Sequence, residues 1–81
     1  MTFQEHLKNK ILTLCAEKGL SVNKLATLSG LTQSTVDGIL KGRSNNPRIK
    51  TMKKLSMGFG IDFADLISYI FDDAYEFDDD D

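Results

Sequence analysis

The sequence predicts an all-α fold, a compact domain of five helices, on three observations. Apolar residues recur at spacings of three and four in five separate segments. Most of those segments are closed by a glycine and preceded by Ser, Thr or Asp. No stretch alternates apolar and polar residues convincingly enough to read as a strand. With 81 residues, 41% of them hydrophobic, there is material for one domain with one modest core.

Thr2 and Glu5 have capping-box spacing, and Phe3, Leu7, Ile11 and Leu14 form a helical stripe running to about Lys18, where Gly19 ends it. Ser21 is placed to cap a second helix over residues 22 to 29, with Gly30 as its left-handed exit. Thr32 caps a third helix over about 33 to 41, which Gly42 closes, and Val36, Ile39 and Leu40 are its apolar side. A polar loop, residues 43 to 48, leads to a fourth helix from Ile49 to Phe59. Ile49, Met52, Leu55 and Phe59 are expected to share its buried face, and Gly60 stops it. Asp62 is expected to cap a fifth helix, with Phe63, Leu66, Ile67, Ile70 and Phe71 spaced for burial. The domain is thus expected over residues 1 to 71 and an acidic, fraying tail over 72 to 81.

Charge divides sharply along the chain. Residues 1 to 60 hold all ten Lys and Arg against three acids (Glu5, Glu17 and Asp37), a balance of +7. Residues 61 to 81 hold nine acids and no base, a balance of −9. The overall −2 hides a basic body whose sign suits a polyanion. Two readings of the tail stay open: a solubilising terminus, or a competitor for the basic face that lowers non-specific binding to DNA.

Several classes of function find no support. No apolar run approaches the roughly 20 residues that cross a bilayer, and the N-terminal residues lack the apolar stretch of a secretory signal. A cytosolic protein is expected, with no membrane partner. The single cysteine, Cys15, rules out an internal disulfide and reads as a small buried hydrophobe. His6, the only histidine, reads as a surface residue without a metal-binding companion, and the Asp78 to Asp81 run lacks the ligand pattern of a calcium loop. No nucleophile with a base and no paired carboxylates are recognisable, so no enzyme, cofactor or metal is expected.

Residues 21 to 41 are the most informative segment. They read as two short helices joined by a glycine turn, the second presenting Gln33, Ser34, Asp37, Gly38 and Lys41 outward. A short helix with a polar stripe, mounted on another helix in this way, has the geometry that fits a DNA major groove.

The chain resembles the Cro and phage-repressor type of helix-turn-helix domain, the XRE-like family, over roughly Leu7 to Ile67. Gly19-Leu20-Ser21, Leu25-Ala26, Ser29-Gly30-Leu31-Thr32, Ser34-Thr35-Val36, Lys41-Gly42-Arg43, Pro47, Leu55 and Gly60-Ile61-Asp62 carry the likeness. The resemblance implies a lambda-repressor-like domain, bacterial or phage-encoded, that binds double-stranded operator DNA, usually as a symmetric homodimer on half-sites about one helical turn apart.

Carried over position by position, it places Thr32, Gln33, Ser34 and Gly38 near bases. Gln33 is the main candidate for direct readout, since its amide pairs in bidentate fashion with adenine. Gly38 admits two readings, a close approach to the groove floor or drift on an exposed face. Phosphate or groove contacts fall to Ser21, Asn23, Thr35, Lys41, Arg43 and Arg48. Asp37 reads best with an intramolecular partner, and Lys50, Lys53 and Lys54 as a solvated face.

Two departures stand out. Val22 occupies a position where such domains commonly carry Gln, and Cys15 and Leu40 stand where they often carry a buried Arg–Glu pair; the apolar pair is expected to meet in the core. The competing reading keeps the scaffold as a protein-interaction module, antitoxin-like or an accessory subunit, using the fifth helix and tail through Tyr69, Tyr75 and Phe77.

Overall fold

A computed structural model describes residues 2–42 and 47–72. Within them the chain forms α1 (Phe3–Lys18), α2 (Val22–Ser29), α3 (Gln33–Leu40), α4 (Ile49–Phe59) and α5 (Phe63–Ile70), with no strand among the described residues.

Three junctions use one device, a glycine followed by an apolar residue followed by an N-cap. Gly30 ends α2 at φ +68, a conformation that costs a glycine little and other residues much. Its N–H donates to Thr27 O and that of Leu31 to Ala26 O, the paired bonds of a Schellman exit. Gly19-Leu20 and Gly60-Ile61 repeat the pattern at the ends of α1 and α4, and Leu20, Leu31 and Ile61 all pack partly buried against the core. The next residue then starts a helix: Ser21 Oγ accepts from Lys24 N at 3.0 Å and Thr32 Oγ1 from Thr35 N at 3.1 Å. Asp62 departs from expectation, for it occupies the cap position of α5 in extended backbone but its side chain makes no cap bond. At α1 Thr2 accepts from Glu5 N at 3.2 Å, which is the forward half of the expected capping box.

The core gathers Leu7, Ile11, Leu14 and Cys15 of α1, Leu25 of α2, Ile39 of α3, Met52, Leu55 and Phe59 of α4, and Leu66 and Ile70 of α5. Cys15 is buried and Leu40 packs partly buried against the same cluster, so neither position carries a charge into the interior. Burial pushes the Cys15 thiol above its ordinary value of 9.0.

α2 and α4 form the most extensive helix pair, and Gly58 is the reason they lie so close. A Cβ on Gly58 would stand 2.0 Å from Ser29 Oγ and 3.1 Å from Ser29 N and Cβ. Ser29 is itself buried and its hydroxyl has no hydrogen-bond partner among the described residues.

Four expectations are corrected. Ile49 is 76% exposed, because it lies at the margin of the arc set by Met52, Leu55 and Phe59 and in the open first turn of α4. His6 is buried, its Nε2–H donating to Ile70 O at the end of α5, where a helix leaves carbonyls unpaired. Phe71 lies just past α5 and is not buried, yet its ring stacks on Phe3 with centroids 5.5 Å apart. Tyr69, expected among exposed interface aromatics, is partly buried under the Lys10 ammonium, which stands 4.5 Å from the ring centroid and also pairs with Asp72. Phe3, His6 and Lys10, one stripe of α1, thus clasp the end of α5.

Gly58→Ala is expected to destabilise the fold by about 1–3 kcal/mol through overpacking. Ser29→Ala is expected to stabilise it by about 1 kcal/mol, since an unpaired buried hydroxyl is removed; thermal melts of both single variants and the double variant, with partial rescue in the double, check this. Cys15 is expected to react with a thiol reagent only at the rate of unfolding near neutral pH. Because the folded chain holds the thiol proton more tightly than the unfolded chain, stability should fall as pH rises above about 9, where the unfolded thiol ionises.

Candidate nucleic-acid interface

α3 spans eight residues, too few to be stable alone, so its geometry is set by what it buries. Val36 and Ile39 are 0% and 1% exposed and form its underside. Gln33, Ser34 and Thr35 stand exposed in the first turn, Asp37 and Gly38 are half-buried further along, and Lys41 is exposed at the end. Residues three and four apart share a face, so Gln33, Ser34, Asp37, Gly38 and Lys41 make one continuous outer strip, as the sequence implied. Lys41 is the capping residue rather than the last helical one.

The start of α3 is locked. Thr32 Oγ1 accepts from Thr35 N and lies 2.9 Å from Thr35 Oγ1, so the two hydroxyls share a bond and fix the approach of the chain to Gln33. The Gln33 side chain has no hydrogen-bond partner among the described residues, which leaves its amide available for a ligand. No cation among the described residues pairs with Asp37, and Arg43 lies outside them. The Asp37 carboxylate sits on the outer strip one turn before Lys41.

Of the flanking candidates, Ser21 and Asn23 are exposed at the start of α2, with the Ser21 hydroxyl occupied by the Lys24 amide. The first N–H groups of that helix have no carbonyl within the helix to bond. Arg48 is exposed at the cap position of α4, where its side chain makes no cap bond. Val22 is half-buried; Lys50 and Lys53 are exposed and Lys54 half-buried. Arg43 lies outside the described residues, as do Tyr75, Phe77 and the Asp78 to Asp81 run.

Gly38 and Gly58 are both interior helical glycines, and they differ completely. Gly58 is required by packing, whereas a Cβ on Gly38 would meet nothing within 4 Å. No contact among the described residues accounts for Gly38. Gln4 is a residue the sequence reading missed: its Nε2 donates to Leu40 O at 3.2 Å, tying α1 to the end of α3. Only a partner 36 residues away distinguishes it from any polar residue in a first helical turn.

No three His, Cys, Asp or Glu side chains of the described residues converge where a metal ion could be held. No helix of the described residues is long and apolar enough to cross a membrane.

With α2, the Gly30 turn and the outer strip of α3 in place, the comparison with known proteins is direct. Residues 10–72 match the Cro/C1-type HTH DNA-binding domain. The chain belongs to that family. Among solved structures it is similar to an HTH_3 family transcriptional regulator from Vibrio cholerae, at 27% identity and a TM-score of 0.69 over 82% of this chain. The matched part is 36% of that regulator's chain. No curated protein matches the chain significantly.

Since Gly38 lies in open space, Gly38→Ala is expected to raise the stability of this Cro/C1-type domain by roughly 1 kcal/mol through helix propensity alone. A denaturant melt at fixed pH checks it.

Proposed function

We infer that the chain is the DNA-reading part of a transcription regulator that lays α3 into the major groove, binds as a symmetric homodimer and represses by occupying its operator. One observation carries the reading: α3 is fixed from beneath by Val36 and Ile39 while the Gln33 amide, exposed and unpaired among the described residues, leads its outer strip. A bidentate Gln–adenine pair is worth about 1–3 kcal/mol of discrimination. Ser34 serves a base edge or phosphate. Thr32 Oγ1 accepts from Thr35 N and shares a bond with the Thr35 hydroxyl, and the exposed Thr35 hydroxyl serves a phosphate.

Gly38 lets the helix approach the groove floor, so the alanine that stabilises the free domain weakens its complex. Ser21 and Asn23 at the start of α2, with Lys41, Arg43 and Arg48, grip phosphates. Asp37 opposes non-specific contact with phosphates and tolerates the groove where a cytosine amino group faces it. The interaction-module reading loses one of its supports, because Tyr69 is engaged by Lys10 within the domain.

Selection from random duplexes, read by sequencing, tests the reading. The expected product is a palindrome with half-site centres about 10 base pairs apart, which loses one adenine preference, and about 5- to 100-fold in affinity, in Gln33→Ala. An absence of any enriched sequence overturns it.

A further inference from the structure

α3 ends differently from α1, α2 and α4. Those three close with a left-handed glycine directly after the last helical residue, whereas Lys41 follows α3 at φ −93, ψ 2 and Gly42 takes the positive φ one residue later. The carbonyl at the end of α3 is served from outside. Gln4 Nε2 donates to Leu40 O at 3.2 Å, and the same side chain lies against Gly42, where a Cβ would stand 3.0 Å from Gln4 Cδ and 3.2 Å from both Cγ and Oε1.

Gln4 therefore touches the chain immediately before and immediately after Lys41. Its own position is fixed on both sides, by Phe3 stacked on Phe71 and by Glu5 whose amide is capped by Thr2. Lys41 between the two contacts is exposed, with its N–H donating to Asp37 O at 2.8 Å. The glutamine is a bracket from α1 that sets where this one cation leaves the helix.

We propose that Gln4 is a positioning residue for DNA, holding the α3 end so that the Lys41 ammonium meets a backbone phosphate, with no part in base readout. The inference rests on the reading that α3 faces DNA. Losing a correctly placed cation lowers the slope of log affinity against log salt by about 0.9, and base contacts made from the other end of α3 are untouched. A residue with a purely structural role would change melting temperature or all affinities together, without altering that slope.

The test compares the full chain with Gln4→Met, which keeps length but cannot donate, with Lys41→Gln, and with the double variant, on a random-sequence duplex across a salt series. Expected are a slope shallower by about 0.9 in Gln4→Met, an affinity loss of about fivefold, and a double variant no weaker than Lys41→Gln alone. Amide exchange at Lys41 and Gly42 should quicken in the free variant while that of α2 holds, and discrimination between the selected duplex and its single-base variants should persist. Gln4→Ala, which adds no bulk, repeats the cycle should the methionine variant fail to fold. Additive losses or an unchanged slope overturn the proposal while leaving the DNA reading intact; wild-type protein that binds neither duplex overturns both.

Discussion

Everything at the interface depends on the burial of two β-branched side chains beneath a helix of eight residues. An isolated helix of that length does not persist in water, and Val36 and Ile39 supply by packing what length cannot. Because β-branched residues hold one preferred rotamer in a helix, they also fix rotation about the helix axis. The outward direction of Gln33 and Ser34 follows from that rotation. A polar outer strip on α3 is therefore a by-product of an apolar underside.

The surrounding frame is built with equal economy. The three exits of α1, α2 and α4 direct the chain inward with an apolar residue, so each turn that ends a helix also adds to the core. The α2–α4 contact shows the other constraint, because the close seating of Gly58 on Ser29 leaves a hydroxyl without a partner among the described residues. That arrangement is bearable only if proximity is worth more than a satisfied polar atom. α2 is thus held tightly on α4 at one end while its other end presents Ser21 and Asn23.

Much of this was legible in the sequence, and the exceptions have a common cause. Helix bounds could be read almost residue by residue, since Gly19-Leu20-Ser21 and Gly30-Leu31-Thr32 each state an ending and a beginning within three residues. The outer strip of α3 followed from its period. What the sequence hid were side chains whose meaning lies in a partner far along the chain: His6 with Ile70, Lys10 with Tyr69 and Asp72, Gln4 with Leu40. Each looks locally like an ordinary solvent-facing residue. Ile49 failed in the opposite sense, for periodicity gives the face of a helix but not how far along it a neighbour extends.

The clasp between α1 and the end of α5 has a kinetic meaning. His6 and Lys10 reach Ile70 and Asp72, 64 and 62 residues downstream, so this clasp closes only after α5 has been made. Until α5 has been made, the apolar stripe of α1 can pack on α2, α3 and α4 but lacks Leu66 and Ile70. The core of the domain is therefore complete only when its last helix is in place.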